Sequence, residues 1–117
     1  MHNYKELKVW QKAREFVKFI YILTNKFPKE ELYGIVSQMR RAAISISSNI
    51  AEGSGHTSNK DFSRFLEISY SSASELETQL ILSFDLEFID KDELDDGMMN
   101  LNEIQKMLTG LINSLKN

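Results

Sequence analysis

Arg41, Ser45, Ser48 and Glu52 recur at steps of four, three and four within RRAAISISSNIAEGSG, residues 40–55. On a helix that spacing sets a guanidinium, two hydroxyls and a carboxylate along one side, ending near Asn49. Two kinds of chemistry suit such a stripe. Small Ser and Ala side chains let helices approach closely, and an Arg with a Glu satisfies polarity at a subunit contact. Alternatively the stripe and the loop from Gly53 to Asn59 offer Arg40, Arg41, His56 and Lys60 to a nucleic acid or another anion. Packing is the preferred reading. Catalysis is not expected, because no serine has an evident base, no nucleophile elbow is present and His56 stands alone in a Gly/Ser loop. With no cysteine and only His2 and His56, neither a disulfide, a thiol nucleophile, a metal cluster nor a cofactor is expected. His2, near the chain start, reads as a solvated terminal side chain.

A second candidate lies at the start of the chain, where Lys5, Lys8 and Lys12 follow at steps of three and four, with Lys18 beyond. They form a cationic edge. The net charge of −3 is weak support for nucleic-acid binding, so a solvated face is preferred. The charge is nonetheless divided: residues 1–29 hold seven Lys/Arg against two Glu, whereas residues 58–117 hold five Lys/Arg against twelve Asp/Glu. A basic edge meeting the acidic helices of another copy would make a head-to-tail contact, which closes into a ring when its rotation permits.

The elements that carry these residues are legible because backbone punctuation is rare. Pro28 is the sole proline, and glycine occurs five times. Trp10, Ala13, Val17, Ile20, Thr24 and Phe27 step by three and four, flanked by Val9, Phe16 and Leu23, which predicts a helix over about 4–26. Pro28 with Glu30 and Glu31 predicts a new helix start, and Leu32, Val36, Met39, Ala43, Ile46 and Ile50 predict its inner face over about 30–53. Ser58 and Asp61 resemble a capping box for a third helix over about 58–88, with Phe62, Leu66, Ser69, Ala73, Leu76 and Leu80 inward. Asp90 and Glu93 open a fourth over about 91–115, in which Gly97 and Gly110 weaken the helix slightly. Four helices with short turns predict an all-α, antiparallel up-and-down four-helix bundle, one domain over residues 1–117. Eleven Phe, Trp and Tyr residues between Trp10 and Phe88 exceed what one slender core hides, so some should sit at an interface. No apolar run reaches the roughly 18–20 residues of a membrane span and MHNYKELKVW lacks a signal h-region, so a cytoplasmic protein with no membrane partner is expected.

LKVWQKA (7–13), FPKEELYGIVSQMRRAAISISSNIAEG (27–53) with the following SG, FSRFLEIS (62–69) and SELE (74–77) resemble the bacterial family named for reading frames in intervening sequences of 23S ribosomal RNA genes. Ser47 and Ser71 stand where that family commonly has proline and glycine. The resemblance implies a left-handed antiparallel bundle and a homopentameric ring; from the residues, no enzymatic activity and no small-molecule substrate are expected. It marks Trp10, Tyr33, Gly34, Arg41, Ser45, Ser48, Asn49, Glu52, Gly53 and Glu75 as interface or structural positions. Related accessory proteins of diversity-generating retroelements are basic pentamers that bind nucleic acid and a reverse transcriptase, which keeps nucleic acid or a protein partner as an alternative to self-assembly alone.

Overall fold

A computed structural model describes residues 2–116 as four helices, α1 (Lys8–Thr24), α2 (Ser37–Ser54), α3 (Asn59–Asp85) and α4 (Lys91–Ser114), with no strand among the described residues. The body measures 45 × 23 × 20 Å. α1 packs on α2 and α4, and α3 packs on the same two, so α1 and α3 stand diagonally across the bundle. Partners along α2 and α3 follow reverse order: Met39 meets Ser83, Ser45 meets Ser72, and Gly53 meets Phe62 and Phe65. Across α1 and α4, Lys12 pairs with Glu103 and Lys26 with Glu93 in the same reversed sense.

The core forms where the three-four spacing directs it. Ala13, Ile20, Met39, Ala43, Ile46, Ile50, Phe62, Leu66, Ala73, Leu76, Leu80, Leu101 and Leu108 are all buried. In α1 the centre of the buried face is displaced from expectation. Val9, Phe16 and Leu23 are buried, while Trp10 and Val17 are only half-buried. The seven-residue series thus points more directly at the centre, because α1 must meet α2 and α4 at once.

Helix ends are set by local chemistry. Ser58 Oγ accepts the Asp61 N–H at 3.1 Å. At α4 the box is complete, with Asp90 Oδ1 accepting from Glu93 N–H at 2.8 Å and Glu93 Oε1 accepting from Asp90 N–H at 2.9 Å. After α3, Glu87 takes a left-handed φ of 64°, and the Phe88 N–H donates back to the Ser83 carbonyl at 2.9 Å. This is the six-to-one closure that usually places glycine at the left-handed position.

The second helix starts later than expected. Lys29–Glu31 form a single 3-10 turn and Leu32–Val36 a wider π-type turn, within which Gly34 is non-helical at φ −108°, ψ −118°. The break removes Leu32 from the α2 face. It is exposed rather than inward, and Tyr33 beside it is 94% exposed. The N-terminal segment is also better anchored than a solvated end, since the His2 N–H donates to the Ser54 carbonyl at 2.9 Å and the His2 ring lies 5.0 Å from that of Phe62.

Candidate interaction surfaces

The polar stripe of α2 begins in a groove against α3. Gln38, Arg41, Ala42 and Ser45 from α2 face Ser72 and Glu75 from α3. The two hydroxyls of Ser45 and Ser72 are 2.8 Å apart, and Asn49 Nδ2 donates to the Ser45 carbonyl and hydroxyl at 2.9 and 3.0 Å. Asn49 is therefore tied into the helix seam. Ser69 adds a buried bond from its hydroxyl to the Ile46 carbonyl at 2.9 Å. Small side chains bring α2 and α3 together here, and Gly53 takes this furthest: a Cβ there would stand 2.7 Å from Phe65 Cβ.

The stripe's charges remain outside the seam. Arg41 and Glu75 line the same groove, yet neither belongs to an ion pair among the described residues. Ser48 and Glu52 are exposed further along α2. Arg41 and Glu52 are eleven positions apart, about 16 Å along a helix axis, so they do not pair within one chain.

The cationic candidates divide among separate surfaces. Arg40 leans toward α1, where its Nε donates to Thr24 Oγ1 at 3.0 Å and its guanidinium lies 4.5 Å from the Tyr21 ring centre. Arg41 faces the α3 groove instead, because successive helical residues diverge by about 100°. Lys12 pairs with Glu103 at 3.1 Å. His56 stacks on Phe65 at 4.9 Å, with its Nδ1 3.9 Å from Asp61 Oδ2, and Lys60 is exposed just beyond. Lys8 is exposed, and Lys5 has its ammonium 6.0 Å from the Tyr4 ring centre.

A different basic surface emerges along α1 and the short turn before it. Lys5, Trp10, Gln11, Arg14, Glu15 and Lys18 line a shallow groove, with the Arg14 guanidinium 5.6 Å from the Trp10 ring centre and Tyr4 set edge-on to Trp10 at 5.0 Å. Arg14 was absent from the Lys5, Lys8, Lys12 series because that series follows one line of the helix, whereas the groove spans the neighbouring one. A wider helical arc centred on Trp10 contains it.

The arrangement defines a class: an all-helical bundle with polar and charged grooves between and along its helices. Among the described residues no group of His, Cys, Asp and Glu is placed to hold a metal ion, and no helix is long and apolar enough to cross a membrane. The family model for the 23S rRNA-intervening sequence protein matches residues 5–110, and the chain belongs to that family. Its fold resembles the crystal structure of a protein of unknown function from the S23 ribosomal protein family of Bacteroides thetaiotaomicron, with a TM-score of 0.81 and 26% identity, covering 90% of this chain and 95% of that one. No curated protein shows a significant match to the sequence.

Proposed function

We propose that this protein is a non-enzymatic, self-associating bundle that acts as a binding or adaptor module in the cytoplasm. The observation that carries this reading is the apolar surface the fold leaves uncovered: Ile22, Tyr33, Leu86 and Met99 are each more than half exposed. Burying them against another protein surface would remove apolar area from water. The family resemblance makes a ring of five the expected form. Sedimentation velocity across a tenfold concentration range tests it. Five subunits of 13.5 kDa, about 68 kDa, are expected, and a 13.5 kDa species at every concentration would overturn the reading.

A nucleic-acid-binding role is the second reading, favoured by the clustering of Lys5, Arg14 and Lys18 around Trp10. Binding of this kind releases counterions and weakens steeply as salt rises. A labelled single-stranded oligonucleotide titrated at two salt concentrations tests it, and binding insensitive to salt, or none at low salt, counts against it.

A further inference from the structure

The exposed flank of α3 beside the α2 groove, continued by the residue just after the helix, carries a stripe that the bundle leaves partly uncovered. Ile68, Glu75 and Leu82 are separated by seven residues each, and Leu86 follows one turn later. Seven-residue spacing keeps side chains in one line along a helix, the pattern of a seam that meets another helix. All four are exposed, whereas the core-facing side of α3 is filled by Phe62, Leu66, Ala73, Leu76 and Leu80. Single exposed apolar residues are ordinary on a surface. Three of them fall in line with a carboxylate, at steps of about 10 Å and then about 6 Å along the axis.

Polar groups beside the strip are short of donors. Gln79 is 5% exposed; its Nε2 donates to Glu75 Oε2 at 3.3 Å, and its Oε1 is buried with no hydrogen-bond partner. Buried amide oxygens are nearly always paired. Glu75 shares its groove with Arg41 but has no cation within ion-pair distance among the described residues. An exposed carboxylate flanked by Ile68 and Leu82 suits an incoming helix that brings cations and an apolar side chain.

This chain presents such a helix. α1 holds four Lys/Arg against one Glu, and α3 holds five Asp/Glu against two Lys/Arg. Arg14, Lys18 and Ile22 follow at steps of four on the outer side of α1; all three are exposed, Ile22 at 66%. Lys12 and Lys26 are already paired with α4 carboxylates, but Arg14 and Lys18 have none within ion-pair distance among the described residues.

We propose that the stripe formed by Ile68, Glu75 and Leu82 of α3 with Leu86 just after it is the contact surface for a second copy of this chain, which lays the Arg14–Lys18–Ile22 face of its α1 against it. The proposal rests on the self-association reading above and assigns it an interface. Because α1 and α3 stand diagonally in the bundle, the two surfaces lie on different helices that do not share a seam within one subunit. Each copy can then receive one neighbour and dock on another, a heterologous contact that closes into a ring when the rotation per subunit permits. Opposite charge on the two surfaces sets the direction of docking.

Light scattering of the full chain and of four variants tests this, with circular dichroism melting on the same samples to establish folding. Leu82→Glu, Glu75→Lys and the pair Arg14→Glu/Lys18→Glu are each expected to reduce the mass to that of a single subunit while melting within a few degrees of the wild type. A chain carrying Glu75→Lys together with Arg14→Glu and Lys18→Glu is expected to regain the wild-type mass. If the wild type assembles and folded α3 variants keep its mass, the stripe is not the contact, although self-association stands. If α3 variants dissociate and Arg14→Glu/Lys18→Glu does not, the docking face on α1 is wrongly assigned. A wild type that is itself monomeric removes self-association, and this interface with it, and leaves the stripe to a different protein.

Discussion

Adjacent residues of one chemical type acquire opposite roles in this bundle, and Arg40 and Arg41 show how. Both read as cations available to an anion, yet one is half-buried against α1 with a hydrogen bond to Thr24 and a Tyr21 ring beneath it, while the other lines an open groove. Sequence spacing places side chains around one helix but does not reveal which neighbour each direction meets. Arg40→Ala is expected to lower stability by about 1–2 kcal/mol, through loss of a charged hydrogen bond and the cation–π contact. Arg41→Ala should stay within about 0.5 kcal/mol of the wild type, as surface changes usually do. Urea denaturation of the two variants checks the contrast, and equal effects would refute it. At Gly53 the limit is space. Ala at that position must displace Phe65 Cβ, which an added methyl would approach to 2.7 Å, so Gly53→Ala is expected to cost about 1–3 kcal/mol by overpacking. An unchanged melting temperature would show that α2 and α3 separate without cost.

Helices were more legible than their ends. Apolar steps of three and four identified all four, and the Asp90–Glu93 pair located the start of α4 because the box needs only local atoms. Asp90→Ala is accordingly expected to lower stability by about 1 kcal/mol, the usual effect of losing an N-cap side chain, with thermal melting as the readout. The entry to α2 was misread because Leu32 continues the apolar spacing perfectly well; it is the backbone at Gly34, invisible to a side-chain pattern, that turns the segment outward. The expected span of α3 reached Phe88, but the chain closes on itself after Asp85 through Glu87, a left-handed residue with no glycine to announce it. The outer stripe of α3 was accessible to the same reasoning, since Ile68, Glu75 and Leu82 are a heptad series. It was overshadowed by the stronger inner face that shares the helix.

The division of charge organises the whole molecule. Basic residues gather in α1 and acidic ones in α3 and α4, and the fold satisfies only part of this internally, through Lys12 with Glu103 and Lys26 with Glu93. Among the described residues, a monomer built this way keeps unpaired basic side chains on α1 and unpaired acidic ones on α3 and α4 exposed, together with uncovered apolar side chains. In the proposed assembly, association between copies would cover the apolar surface and the exposed charge would set its direction. Charged pairs at the rim of such a contact are screened by salt, whereas apolar burial is not. The assembly should therefore loosen at high salt without dissolving into single subunits. The most direct test is the absolute mass in solution by light scattering at low and high salt, with absorbance at 260 and 280 nm recorded across the same peak. A five-subunit mass at both salt concentrations, free of nucleic-acid absorbance, is the expected result; a single-subunit mass at low salt would contradict the account.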